Sequence, residues 1–273
     1  MARKKKKSLK KHPNLEQLQA MESLYGSTLT VGRLVQQGFV YVFIVSLFSI
    51  ILYVNVWITV AYALLTAFYV YWVITPYEVR QRYEERSMAQ RNRFLNLVTQ
   101  GMANKNALAL NVLRTVVPKV DGEFHDDLET LLAILSSTND PSDIHQAFLN
   151  ISSKYQDDFY FGLFMEHFET AILENIYNME TFRVFKTSHD AIMLKQTDFK
   201  RQKRLARRNV LIILLMLIIA TGILCFVNGF KKYVDWFAHA LVGHISSTLF
   251  MLLVFIIMHK FFKLFYDDVV TSL

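Results

Sequence analysis

Between Leu34 and Tyr77 the chain carries no Asp, Glu, Lys or Arg. One membrane helix needs only about 20 apolar residues to cross roughly 30 Å of hydrocarbon, so a run of this length predicts two crossings. The break falls at Tyr53-Val54-Asn55-Val56-Trp57, where a turn-tolerant Asn sits between interfacial aromatics. The second crossing is expected to end near Tyr71, Trp72 and Pro76, an aromatic belt followed by a residue that helices tolerate at ends or kinks. A second charge-free block runs from Asn209 to Phe230, breaks at Lys231, Lys232 and Asp235, and resumes from Trp236 to Met258. The expectation is an all-α membrane protein with four transmembrane helices in two hairpins. A cleaved signal peptide is not expected, because the first apolar stretch is too long and starts too far into the chain.

Lys and Arg near membrane-helix ends tend to stay cytoplasmic. Arg3, Lys4, Lys5, Lys6, Lys7, Lys10, Lys11 and Arg33 precede the first crossing; Lys200, Arg201, Lys203, Arg204, Arg207 and Arg208 precede the third; Lys260 and Lys263 follow the fourth. The opposite side has only Lys231 and Lys232. Both termini are therefore expected in the cytoplasm, in a multi-pass protein of the cell (inner) membrane. The implied division is a basic arm at 1–33, a hairpin at 34–76, a cytoplasmic helical bundle at 77–208, a second hairpin at 209–259 and a cytoplasmic tail at 260–273. The basic run from Lys200 to Arg208 is expected to face anionic lipid, whose surface attracts each well-placed cation by about 1 kcal/mol.

The segment between the hairpins is long enough for one compact core, and its apolar spacing is helical throughout. Leu95, Val98 and Met102 form one stripe, Leu108, Val112 and Val116 a second, and Leu128, Leu131, Leu132 and Leu135 a third. Asp140-Pro141-Ser142-Asp143 is a helix start leading into Ile144, Ala147, Phe148 and Ile151. Phe161, Met165, Phe168, Ile172 and Ile176 mark an aromatic-rich helix. A bundle of about six helices follows, the first growing out of the second crossing and the last running into the third.

Charge along this segment is polarised. From Val120 to Phe182 there are thirteen acids and one base, Lys154, whereas both flanks are basic. The middle is expected to be an acidic tip that steers a basic protein partner, with Asp126, Asp127 and Glu129 as the docking residues. The formal charge of +7 then reflects the N-terminal arm, because residues 78–208 balance at eighteen acids and eighteen bases. Nucleic-acid binding is not expected: the arm has no interleaved aromatics or reading motif.

Motifs for chemistry are missing. The chain has no GxxxxGK[ST] and no HExxH. Its one cysteine, Cys225, excludes an internal disulfide and a Cys-cluster metal site. His239 and His244 are five apart, a poor spacing for two ligands on one helical face, and Gly243-His244-Ile245-Ser246 puts a nucleophile and a base on adjacent turns without separate support. These residues and His259 are expected to pack and hydrogen-bond between helices. Glu166, His167 and Glu169 are read as polar contacts of the bundle. No catalytic residue, cofactor or metal is assigned.

Three local patterns add a resemblance. Phe94-Leu95-Asn96-Leu97-Val98-Thr99-Gln100-Gly101 followed by Ala107-Leu108, then Asp143-Ile144-His145-Gln146-Ala147-Phe148, then Glu169-Thr170-Ala171-Ile172-Leu173 resemble the conserved steps of F-type platform proteins of type II secretion and type IV pilus machines. The second lacks the usual leading Gly, and Ala171 stands where that family has Gly. With one domain between two hairpins, the chain looks most like the tight-adherence pilus proteins TadB and TadC. The resemblance implies a non-enzymatic platform that couples a cytoplasmic hexameric secretion ATPase to assembly of pilin-like subunits, working as a homo-oligomer or with a related platform protein. Glu169 is the residue carried over as a docking position. The competing expectation is a small multi-pass transporter or channel component; a membrane-bound enzyme is a third reading, lacking a catalytic pair.

Overall fold

The structure, a computed structural model, describes residues 15–23, 31–104 and 107–266, and every regular element among them is helical. In chain order these are α1 (Leu15–Ser23), α2 (Val31–Tyr53), α3 (Val56–Tyr69), α4 (Thr75–Met102), α5 (Ala109–Val116), α6 (Glu123–Ser137), α7 (Pro141–Lys154), α8 (Phe159–Leu173), α9 (Met179–Val227), α10 (Phe230–Tyr233) and α11 (Leu241–Tyr266). The basic residues Arg3 to Lys11 of the expected arm, Lys105, and the end of the expected tail past Tyr266 lie outside the described residues.

Three helices are long and apolar enough to cross a membrane: Val56–Met102, Met179–Val227 and Leu241–Lys263. The first expected crossing falls on α2, where the apolar helix Gly38–Tyr53 is shorter. The helix of the second expected crossing runs on past Pro76. A π-turn at Val70–Ile74 joins α3 to α4, and the Thr75 hydroxyl donates to the Val70 carbonyl at 3.2 Å. The widened turn absorbs the proline's missing N–H, so the helix continues. Contacts divide the chain into two compact units, one built mainly from residues up to Gln81 and from Lys200 onward, the other from Arg82–Phe199.

In the first unit, α2 and α3 form a hairpin. Asn55 caps α3, its side chain accepting from the Trp57 N–H at 3.0 Å and the Ile58 N–H at 3.4 Å. The preceding Val54 has φ +48°, a left-handed conformation that a β-branched residue rarely adopts. The turn into α11 is equally tight: a Cβ at Gly243 would lie 1.7 Å from the Phe237 carbonyl oxygen, so only glycine fits. Trp236 sits in a second π-turn, Val234–Ala238, and α11 begins later, at Leu241.

Some polar side chains in this unit pair between helices, while others, such as Ser46 and Thr221, bond carbonyls of their own helix. The Tyr53 hydroxyl lies 2.9 Å from Thr248 Oγ1 and 3.2 Å from the Tyr62 hydroxyl, and His244 stacks on the Tyr53 ring. Tyr69 and His259 meet at 2.9 Å, and Tyr233 donates to the Ile51 carbonyl. Ser246 bonds the Gly243 carbonyl on its own helix.

The second unit is a bundle of the distal part of α4, α5 to α8, and the start of α9. Its centre is a group of fully buried phenylalanines set mostly edge to face: Phe94 with Phe124 at 5.5 Å between centroids, Phe124 with Phe161 at 5.6 Å, and Phe164 with Phe182 at 5.1 Å. Leu95, Val98, Met102, Val112, Val116, Leu128, Leu131, Leu135, Ile144, Ala147, Phe148 and Ile151 are buried around them, with Leu132 and Ile172 partly so. Two expected core positions are exposed. Leu108 is extended at the N-cap of α5, outside the helix whose stripe it was to join. Ile176 follows Asn175, whose φ of +53° breaks the helical path after α8.

Candidate functional site

The bundle's charged side chains are organised by pairs that hold its helices together. Asp158 is the N-cap of α8, its side chain accepting from the Phe161 N–H at 3.3 Å. Its Oδ2 also receives Arg91 Nε of α4 at 2.9 Å and lies 3.0 Å from His189 Nε2 of α9. The other imidazole nitrogen lies 3.0 Å from Asn92 Oδ1, and Arg91 also donates to Ser87 at 2.8 Å. The Arg91 guanidinium stands 4.6 Å from the Tyr155 ring centroid. Burial pushes the Asp158 carboxyl up, but the His189 hydrogen bond and charge, with the Arg91 guanidinium, outweigh it and hold the group below its ordinary 3.8.

A second cluster joins α4, α6 and α7. Lys154 lies 2.7 Å from Glu123 and 2.6 Å from Asp127. Tyr83 donates to Glu123, and the Tyr155 hydroxyl donates to Asp127 at 2.9 Å. Burial favours the neutral amine at Lys154, yet hydrogen bonds to Asp127 and Glu123 outweigh it and raise its pKa. Glu123 is held low by Lys154 and Tyr83 against the opposing effect of burial. The single base among thirteen acids is thus the hub between α6 and α7.

The expected docking residues differ in exposure and partners. Asp126 is exposed, and Glu129 is exposed with His125 Nε2 at 3.2 Å. Asp127, one residue on from Asp126, turns inward to Lys154. Glu169 is buried on α8 and lies 2.8 Å from His145 Nδ1 of α7, a helix-helix contact. Glu166 is exposed, while His167 packs on Phe182 at 4.6 Å. In the first unit, Arg201, Arg204 and Arg208 are exposed and Lys200 half-buried. Lys203 donates to the Phe265 carbonyl at 2.7 Å, and Arg207 lies 3.6 Å from Glu78.

Sequence reasoning missed the Arg91, Asp158 and His189 cluster. One signal was present: Asp158 directly before the aromatic run Phe159-Tyr160-Phe161 has the form of a helix cap. The other two residues, far away in sequence, have no local signature. Among the described residues no group of three or more His, Cys, Asp or Glu could hold a metal ion.

No protein-family model matches the chain, and no solved structure matches it. Over 259 residues, 95% of this chain and 93% of the other, it is 29% identical to an uncharacterized protein of Bacillus anthracis, pXO2-23.

Proposed function

We propose that this chain is a non-enzymatic platform of the cell membrane, in a pilus, secretion or conjugation machine, that couples a cytoplasmic secretion ATPase to assembly of pilin-like subunits. Its membrane part crosses four times in two hairpins, with both termini and the bundle in the cytoplasm. One observation carries the reading: α4 and α9 each supply side chains to the bundle core and belong to long apolar helices, Phe94 within Val56–Met102 and Phe182 within Met179–Val227. The chain thus enters and leaves the bundle on helices that continue from apolar stretches, the arrangement such a coupling needs.

The test is affinity purification of the full chain, in mild detergent, from cells that express its neighbouring genes. Recovery of a hexameric ATPase supports the platform. Its loss when the exposed acids of α6 are reversed would place the contact on the bundle. A chain that retains no ATPase and, alone in liposomes, carries a solute across the bilayer is a transporter. Topology is checked separately with Lys231→Cys in a Cys225→Ser background, where labelling of intact cells by a membrane-impermeant maleimide is expected.

A further inference from the structure

Helix α8 is apolar on both of its sides. Phe161, Phe164 and Phe168 are wholly buried in the bundle. Phe159, Leu163, Glu166, Thr170 and Leu173 recur at steps of four and three, which sets them along the opposite side as one seam. Phe159 is 67% exposed and Leu173 39%, Glu166 is exposed, and Leu163 and Thr170 are half-buried. A helix at a bundle surface ordinarily turns charge outward, whereas one apolar all round is covered on every side.

The neighbouring helix extends this face. The Glu169 contact with His145 sets α7 beside α8, and the short connection at 155–158 makes the two antiparallel. One turn on from His145, Leu149 is 45% exposed on the side of α7 that meets α8. Gly162 lies at the edge of the seam, three residues after Phe159 and four before Glu166. A Cβ there would meet nothing within 4 Å, so alanine fits the fold and would hold the helix better. Nothing in this chain uses the space the glycine leaves. It exposes backbone that a second helix can approach closely.

Charge narrows the occupant. Glu166 lies in the middle of the seam, and Glu174 is exposed just past its end. The two helices carry one Lys or Arg between them, Lys154, which is bound to Glu123 and Asp127 of α6. A second copy of the seam packed antiparallel would set Glu166 against Glu166, and an anionic lipid surface would meet the same carboxylates. Like charges disfavour both. An apolar helix edged with Lys or Arg gives Glu166 an opposite charge and leaves no carboxylate unpaired in the contact.

We propose that the α7–α8 face between Phe159 and Leu173 docks a basic amphipathic helix of another protein, packed over Leu149 and Gly162 with a Lys or Arg at Glu166. The site does not depend on the platform reading.

The experiment places a photocrosslinking amino acid at Leu163 or Thr170 of the full chain in its native cells and sequences the peptide it captures. The expected capture is a segment of another protein with apolar residues three or four apart and Lys or Arg beside them. Capture of lipid, of α8 from a second copy, of an acidic segment or of nothing overturns the proposal. Two variants test the face itself. Gly162→Ala should raise the melting temperature of the full chain in micelles yet lower the crosslink yield about fivefold or more, because the added methyl overpacks the contact. Glu166→Lys, at an exposed position, should lower the yield similarly with little change in melting. A yield unchanged in both variants overturns the proposal as well.

Discussion

His189 Nε2 lies 3.0 Å from Asp158 Oδ2, and the histidine is wholly buried. This contact ties the first part of α9, a 49-residue helix, to the start of α8. Arg91 reaches the same carboxylate oxygen from α4. Three helices, α4, α8 and α9, therefore depend on one side chain, which also caps the helix it precedes.

Replacing Asp158 with Asn keeps the shape and a cap acceptor but removes the charge that balances Arg91. Breaking a buried pair in this way costs about 3–5 kcal/mol, far more than an exposed pair contributes. Asp158→Asn should therefore shift the denaturant midpoint of the full chain in detergent micelles well below that of Arg93→Gln, whose Asp121 contact is exposed. Equal midpoints would show that the buried cluster does not hold the bundle.

The same carboxylate gives the bundle an acid limit. Its folded pKa lies below the ordinary 3.8, so the unfolded chain binds the proton first as pH falls, and uptake favours unfolding. The stabilisation is whole above pH 3.8 and is lost as pH drops through the folded value. Glu123 acts likewise below its ordinary 4.5, while Lys154, raised from 10.5, contributes at lower pH and loses its share as pH climbs through its folded pKa. Melting temperature against pH should be flat from about 5 to 10 as far as these groups govern it, falling on both sides. Glu123→Gln should flatten part of the acid limb and, because Glu123 also helps raise Lys154, a smaller part of the basic limb.

What the sequence disclosed depended on the range of the interaction. Helices with a local period or cap were legible: Asp140 accepts from the Ser142 N–H at 2.9 Å at the predicted start of α7, and Asn55 sits at the predicted hairpin break. Periodicity could not show where a stripe stops, because Leu108 and Ile176 sit just past backbone turns with no apolar signature. Asp126, Asp127 and Glu129 differ in their surroundings for a geometric reason. Adjacent residues on a helix point about 100° apart, so Asp127 faces Lys154 while Asp126 faces water.

That split makes the docking hypothesis separable from folding. Asp126→Lys with Glu129→Lys alters exposed positions and should change stability by less than about 0.5 kcal/mol. If the acidic face steers a basic partner, association should slow about tenfold or more at low salt, and added salt should erase the difference. Asp127→Lys should destabilise the bundle by placing a second cation against Lys154. Surface plasmon resonance with the co-purified partner, beside a melting curve for each variant, distinguishes the two effects.

Gly101 is the glycine in the first pattern that resembled the platform family, and its role here is steric. A Cβ at that position would meet Val112 Cγ1 at 2.6 Å, where α4 packs on α5. Gly101→Ala should cost about 1–3 kcal/mol despite the better helix propensity of alanine. Val112→Ala removes the obstructing atom, so the double variant should be more stable than the sum of the single losses predicts. Additive losses in a denaturant series would place the glycine's role elsewhere.

Val54 offers the opposite sign. Its φ of +48° is forced by the short connection that lets Tyr53 end α2 and Asn55 cap α3. A β-branched residue held there costs about 1–3 kcal/mol, whereas glycine adopts the conformation without steric penalty. Glycine also adds freedom to the unfolded chain, offsetting about 0.5–1 kcal/mol. Val54 is only partly buried, so truncation loses little packing. The balance favours Val54→Gly by about 1 kcal/mol, measurable as slower unfolding of the full chain in mixed micelles. Val54→Ala relieves less of the strain, because its Cβ remains, and should stay close to wild type. If glycine instead speeds unfolding while alanine does not, chain entropy outweighs strain at this turn.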